Sequence, residues 1–407
     1  MPEPMAARDA AATIAARLEG AGHTAYFAGG CVRDELLGLH PADYDVATAA
    51  TPDQIRDLFP KARGVGEHFG VMLVRHGGRT VEVATFRGEG SYQDGRRPTQ
   101  VTFADEVTDA LRRDFTINGL FMHPPSGRVI DHVGGRADLK ARRLRAIGDP
   151  DARLEEDRLR LLRAVRFAAR FDLSIDAATL AAVRRHAPEL RGVSRERVGH
   201  EVRRMLAHHG RATAVGLIEA HGLAAATLLE PEAAFEPRRL AAIPASASVV
   251  CSLAAWMRDR ALPRPWTERL ERWTEALVLS NQEREGVADT LSALEALHGA
   301  WSTMGVAARK RLAASAGFDD ALSMLGSEVP AMAESVRGDL ATLRVSGLAP
   351  PPLLDGHDLQ QLGLHPGPAF RRILDAVYDA QLEGRVQTRE EARALALRVH
   401  AQPGPGA

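Results

Sequence analysis

The chain is short of cysteine, of aromatic side chains, of uninterrupted apolar runs and of net charge. Its two cysteines, Cys31 and Cys251, stand far apart in 407 residues. They make neither a disulfide framework nor a thiolate metal cluster, so a reduced, cytoplasmic compartment is the simplest expectation. Aromatics are only 5% of residues, which leaves little material for stacking platforms. No stretch approaches the roughly 18 apolar residues of a membrane span. Met1 to Arg17 mixes charges with alanines and does not read as a secretory signal. The formal net charge of −1 excludes a global basic field. No internal repeat is visible.

What is present is an ordinary globular composition, 45% hydrophobic and 26% charged, in a chain too long for one core. The charge is unevenly placed. Arg136 to Arg170 holds eleven Arg/Lys against six Asp/Glu. Arginine outnumbers lysine throughout, which suits planar, bidentate contacts to phosphates and base edges; a GC-rich coding sequence explains the bias equally well. The first 25 residues have alanine-rich helical periodicity. Ala25 to Ala28 is a short apolar run ending in Gly29-Gly30, a strand and a sharp turn, and Val32 to Leu39 reads as helix. Strand character returns at Asp43 to Ala47, Val71 to Val74 and Thr80 to Phe86, and the last two are joined by the hairpin-like His76-Gly77-Gly78-Arg79. Gly88 to Gln100 is Gly-rich and charged, a mobile loop. From Asp149 onward strand signals nearly vanish, Pro350-Pro351-Pro352 marks a break, and Gln402 to Ala407 reads as a disordered tail. An α/β head followed by a long helical body is the expected architecture.

Asp43 and Asp45 are the first chemical clue. Residues two apart on a strand face one side. Carboxylates that close repel each other unless a divalent cation sits between them, and two such ions can clamp an in-line phosphoryl displacement. Most Asp-x-Asp pairs are solvated surface pairs, so the motif alone decides nothing. Val81 and Val83 would face the core and leave Glu82 on the opposite face, as a third carboxylate, a metal ligand or a base, or simply as an exposed strand residue. Gly29-Gly30-Cys31-Val32-Arg33-Asp34 joins a strand to a helix, where a phosphate can approach the backbone.

These pieces occur in a familiar order. Gly29-Gly30-x-Val32-Arg33-Asp34 followed by Asp43-x-Asp45 resembles the first motif of class II CCA-adding tRNA nucleotidyltransferases and bacterial poly(A) polymerases. Arg112-Arg113-Asp114-Phe115-Thr116-Ile117-Asn118 resembles their second motif. Glu155-Glu156-Asp157-Arg158-Leu159-Arg160 through Phe167 resembles their nucleotide-reading helix, and Ser194-Arg195-Glu196-Arg197 through Glu201 the motif after it. The resemblance is strong over about residues 25–205, weakens through 206–335 and returns near Asp355-Gly356-His357-Asp358-Leu359 to Gly367-Pro368. It implies an α+β nucleotidyltransferase head, with a polymerase-β-like mixed sheet and helices, over 1–148. An all-α neck over 149–215, body over 216–340 and tail over 341–407 would follow.

The resemblance further implies a two-metal Mg²⁺ site on Asp43 and Asp45, and Glu82 stands beside them as a third catalytic candidate from its strand position alone. Gly29, Gly30, Arg33 and Arg113 would hold the triphosphate and Asp114 would sit near the ribose. Asp157 and Arg160 would read the base, with Arg163 and Arg166 further along the same helix. The implied reaction is addition of C, C and A to the tRNA 3′ end from CTP and ATP. The loop around Glu89 to Val101 would be needed for the switch from C to A, since Asp94-Gly95-Arg96-Arg97-Pro98 resembles a loop that CC-only enzymes lack.

The choice of base also has a physical argument. If residues 155–171 form one helix, Asp157 and Arg160 are neighbours on a face. Cytosine and adenine each offer an amino donor beside a ring-nitrogen acceptor, whereas uracil and guanine offer the reverse. A carboxylate accepts and a guanidinium donates, so a rigid Asp/Arg pair matches C and A and opposes U and G. The alternative is an ordinary i,i+3 salt bridge on a solvated helix.

Phe69-Gly70-Val71 departs from the family's His-Gly-Thr, and the segment Val107 to Leu111 is less acidic than usual. No His-Asp phosphohydrolase motif is present. Three rivals stay open: an A-adding enzyme, a bacterial poly(A) polymerase, and a non-catalytic RNA-binding helical protein. The basic insertion of the polymerases is not evident near Lys61 to Val74. Arg195, Arg197, Arg203, Arg204, Arg371 and Arg372 are candidate RNA contacts. Neither protein partners nor oligomeric state can be read from the sequence.

Overall fold

The computed structural model describes residues 5–65, 70–88 and 103–402. Residues 89–102, which contain most of the expected loop, Phe69 and the last five residues lie outside the described residues. The chain forms two compact units, Met1–Glu232 and Ala233–Ala407.

The first unit is built on a mixed seven-stranded sheet. Its strands are β1 (Ala25–Ala28), β2 (Val46–Thr48), β3 (Arg63–Gly64), β4 (Val71–His76), β5 (Arg79–Thr85), β6 (Leu120–Met122) and β7 (Val129–Asp131), in the order β3-β4-β5-β2-β1-β6-β7. Only β2 and β5 run parallel; every other pairing is antiparallel. The β4–β5 connection is the hairpin its sequence suggests. Gly77 and Gly78 both take positive φ, 54° and 80°, the backbone a two-residue turn needs. Helix α1 (Ala7–Gly20) buries Ala10, Ala11, Ile14, Ala15 and Leu18 against β1, β2, β4 and β5. These small side chains let the helix lie close on the sheet.

Helices surround and follow the sheet: α2 (Gly30–Leu36), α3 (Pro52–Leu58), α4 (Glu106–Leu111), α5 (Gly135–Lys140), α6 (Pro150–Glu156), α7 (Arg160–Phe171), α8 (Ala177–His186), α9 (Arg195–Leu206) and α10 (Arg211–Ala220). Helix α7 is strongly two-sided. Leu161, Leu162, Ala164, Val165 and Ala168 are buried against its neighbours α9 and α10, while Arg160, Arg163, Arg166 and Arg170 recur at helical spacing.

The expectation of one helix over residues 155–171 is corrected here. Helix α6 stops at Glu156, Asp157 is extended at φ −149° and ψ 101°, and α7 starts at Arg160. The Asp157 side chain accepts from the Leu159 amide at 3.0 Å and its carbonyl from the Arg160 amide at 2.9 Å. A side chain bonded to the backbone two residues on competes with the helix ladder, and the chain breaks here before α7 begins.

The second unit is helical apart from the two-residue strand Ala234–Phe235, paired with Arg260–Ala261. Trp256 and Trp273 pack edge to face at 5.1 Å in its core. The motif at Asp355 has a structural explanation. Asp355 and Asp358 form a reciprocal capping box on the helix Gly356–Gln361, Asp358 pairs with Arg389, and Leu359 is fully buried.

Candidate active site

A cleft of about 530 Å³ opens in the first unit, lined by parts of α2, α7 and the segment 112–118. Ten of the residues singled out from sequence line it: Gly29, Gly30, Arg33, Asp45, Arg113, Asp114, Asp157, Arg160, Arg163 and Arg166. Asp43 and Glu82 do not. Arg112, Asn118, Phe167, Arg170 and Arg204 complete the wall. Eight arginines therefore face three aspartates, in a protein whose whole-chain charge is nearly zero. The cleft suits a polyanion.

Asp43 and Asp45 are exposed on either side of buried Tyr44. The strand expected over Asp43 to Ala47 begins only at Val46, so both acids precede β2 and do not lie on it. Parallel pairing of Val46 with Val83 sets Asp45 level with Glu82 on the neighbouring strand. Val81 and Val83 point into the core and Glu82 is exposed. Loss of hydration within the cleft, then the charges of Glu82 and Asp43, push the Asp45 carboxyl up to about 6, while Arg113 pulls the other way. Such a carboxylate has unmet demand for positive charge. None of the three acids forms a salt bridge among the described residues. Nor do three acidic, His or Cys side chains converge into a metal cage among those residues. Asp43 and Asp45 are the residues that could hold a divalent cation, which can bind through one or two carboxylates and complete its shell with water and substrate phosphates.

The turn before α2 is held open by glycine. Gly29 has φ +68°, and a Cβ there would lie 2.7 Å from Arg113 Nη1. Arg33 is buried, donating to Asp34 through Nε at 2.8 Å and to the Asn118 side-chain oxygen through Nη1 at 2.5 Å. Its guanidinium lies over Phe171 at 4.3 Å. Arg113 donates through Nη2 to Asp109 Oδ2 at 2.8 Å and through Nη1 to the Asn118 carbonyl at 3.2 Å. Asp109 is 1% exposed, and its other oxygen accepts from Arg112 Nε at 2.8 Å. One buried carboxylate thus aims both arginines, and together they hold it below the usual carboxylate range despite its burial.

Asp114 is buried and accepts from the Phe115 amide, from the Asn118 side-chain amide at 3.0 Å and from Arg163 Nε at 2.8 Å. Although burial alone would raise it, Arg163 and these bonds bring its pKa down to about 2. Arg166 is paired with buried Glu201 of α9 at 2.5 Å. Arg160 donates to Glu156 at 2.5 Å and to the Arg153 carbonyl at 2.7 Å. Asp157 takes Arg197 Nη2 at 2.7 Å. The mutual Asp157–Arg160 salt bridge is thus absent; each side chain is held by someone else. Of the candidate RNA contacts, Arg197 is used in this way and Arg195 donates to the Ala226 and Thr227 carbonyls. In the second unit Arg372 donates to two carbonyls, and Arg371 is almost fully exposed.

Sequence reasoning missed Asp109, Glu156 and Glu201 as holders of arginines. Asp109 sits three and four residues before Arg112 and Arg113, a spacing that a helix end brings together, while Glu156, last in α6, meets Arg160, first in α7, across the break. The Arg166–Glu201 pair spans two helices and has no such local signal.

A mixed sheet with paired acids beside a strand, a glycine turn opening a helix and an arginine-lined cleft defines a nucleotidyltransferase head. Residues 25–145 match the Poly A polymerase head domain, and residues 172–248 the probable RNA and SrmB-binding site of polymerase A. The CCA-adding enzyme of Geobacillus stearothermophilus is 31% identical over 396 residues, covering 93% of each chain. The Levilactobacillus brevis CCA-adding enzyme is 48% identical over 204 residues, so the chain spans about half the length of that relative. The crystal structure of the Bacillus stearothermophilus CCA-adding enzyme in complex with CTP superposes with a TM-score of 0.79, at 29% identity, over 97% of this chain and 98% of that one. The chain belongs to the CCA-adding enzyme family, whose members are tRNA nucleotidyltransferases. No helix among the described residues is long and apolar enough to cross a membrane.

Proposed function

We propose that this chain adds C, C and A to the 3′ end of tRNA, taking CTP and ATP as substrates, in a cytoplasmic compartment. The observation that carries the reading is the placement of Asp157 and Arg160. They lie in one arginine-lined cleft with Asp45, and each is held by a different partner, Asp157 by Arg197 and Arg160 by Glu156. A fixed acceptor beside a fixed donor complements the Watson–Crick edges of C and A and opposes those of U and G. The match to a CTP-bound relative over nearly the whole chain supports the same substrate class.

In this reaction the RNA 3′ oxygen attacks the α-phosphorus. The bond from that phosphorus to the α–β bridging oxygen breaks, and pyrophosphate leaves. Glu82, exposed on the strand level with Asp45, would take up the hydroxyl proton. Arg33 and Arg113 stabilise charge on the phosphates, and Asn118 holds both of them in position. Asp43 and Asp45 would hold Mg²⁺, which when bound makes the hydroxyl more acidic and offsets charge on the leaving group.

The test is an extension assay with Mg²⁺ and labelled CTP or ATP, on tRNAs ending at the discriminator base, at C and at CC. Ordered addition of C, C and A followed by arrest is the expected outcome. Addition of A alone to the CC-ending tRNA makes the chain an A-adding enzyme, and long A tails on any RNA make it a poly(A) polymerase. Asp45→Asn should reduce transfer at least about a thousandfold, since the loss of cation-held charge stabilisation is worth several kcal/mol. Unchanged transfer by that variant would leave the head without a catalytic role.

A further inference from the structure

Six of the eight cleft arginines each give one or more of their donors to an acidic or amide side chain of the protein. Arg33 is held by Asp34 and Asn118, Arg112 and Arg113 by Asp109, Arg160 by Glu156, Arg163 by Asp114 and Arg166 by Glu201. Arg170 and Arg204 differ. The nearest acid to Arg170 is Asp34 at 3.9 Å and the nearest to Arg204 is Glu201 at 3.6 Å, both beyond hydrogen-bond reach. Their side chains are 42% and 64% exposed. A second cavity of about 300 Å³ shares Arg166, Arg170 and Arg204 with the cleft. Apart from His208, its remaining wall is Ala169, Met205, Ala207, Gly210 and Ala214, so the fixed cations lie on the side where the two cavities meet.

Position along α7 says what these donors face. Arg160 and Arg170 are ten residues apart, about 15 Å along the helix axis, comparable to a nucleoside triphosphate from its base edge to its terminal phosphate. With the base at Asp157 and Arg160, and phosphates reaching Arg33 and Arg113, the terminal phosphates arrive beside Arg170. Arg33 and Arg170 are in turn gathered on one ring, at 4.3 and 5.0 Å from the Phe171 centroid.

We propose that Arg170 and Arg204 form a pyrophosphate subsite, which grips the β- and γ-phosphates of the incoming nucleotide and retains the pyrophosphate once the α–β bond has broken. This rests on the reading above that the cleft binds CTP and ATP with their bases at Asp157 and Arg160. Two guanidiniums with unengaged donors are suited to an anion that gains charge as it leaves, because charge-assisted bonds to phosphate strengthen with that charge.

The experiment is calorimetric titration of inorganic pyrophosphate with Mg²⁺ into the full-length protein and into R170Q/R204Q, with CMP and a tRNA acceptor minihelix as parallel ligands. Both arginines are accessible, so the variant should fold, and its melting curve checks this. Pyrophosphate affinity should fall at least about tenfold, as expected for two lost charge-assisted contacts, while CMP and minihelix affinities stay within about twofold. Unchanged pyrophosphate affinity overturns the proposal. A minihelix loss as large as the pyrophosphate loss, or larger, overturns it too and assigns the pair to RNA backbone phosphates. The same wild-type preparation is assayed for CMP transfer to tRNA. Its failure there would sink the transferase reading, whereas transfer with unaltered pyrophosphate binding in the variant would sink only the subsite.

Discussion

At the scale of single residues, the cleft is organised by buried acids as much as by the arginines that would meet a substrate. Asp114 has a folded pKa of about 2, below its value in an unfolded chain. Its carboxylate therefore contributes stability above about pH 4, and that contribution is lost as pH falls toward 2. The shift corresponds to about 2 kcal/mol. Acid unfolding of Asp114→Asn should show this directly, with the gap from wild type greatest at neutral pH and closing between about pH 4 and 2. Asp109 supports function differently. Asp109→Asn leaves Arg112 and Arg113 without their shared anion, which should cost about 3 kcal/mol of stability and raise KM for CTP and ATP at least about tenfold. The KM for tRNA should move much less, and steady-state kinetics on the folded fraction separates the two. These holders were hard to find from sequence because an acid that aims an arginine looks like any acid on a helix. The arginines themselves were legible, since Arg33, Arg113, Arg160, Arg163 and Arg166 fall in specific motifs and all line the cleft.

At the scale of elements, most of the head was readable. The β4–β5 hairpin follows from Gly77-Gly78, and the outward Glu82 from the buried Val81 and Val83. The sheet order was not, because β1 pairs with β2 and β6 across long sequence separations, and short strands carry no register signal of their own. The break between α6 and α7 was missed for a plainer reason. Glu155-Glu156-Asp157-Arg158-Leu159 contains no Gly or Pro, and the break is marked only by the extended backbone of Asp157 and its bond to the Leu159 amide. Asp157 thus bonds the Leu159 amide just before α7 and, on the proposed reading, also meets the base. Asp157→Ala should cost about 1 kcal/mol of stability through the lost bonds to the Leu159 amide and Arg197 and admit UTP or GTP at a higher rate. Asp157→Asn should keep the bond to the Leu159 amide while still altering nucleotide choice. Thermal melts paired with misincorporation assays distinguish the two roles.

At the scale of the whole molecule, a formal charge of −1 conceals a locally cationic surface. RNA affinity should therefore depend on salt far more than the net charge suggests. Raising salt from 50 to 200 mM should weaken tRNA binding at least about tenfold if even a few phosphates are contacted, and a flat response would exclude phosphate contacts as the source of affinity. The larger consequence comes from how Asp157 and Arg160 are held, one by Arg197 and the other by Glu156. On the proposed reading, the instruction for what is appended is written in two codons of this protein's own gene and is not consumed when it is read. A single missense change at either position would then rewrite the ending of every acceptor molecule at once, an error that no correction of the individual RNAs could trace to its source.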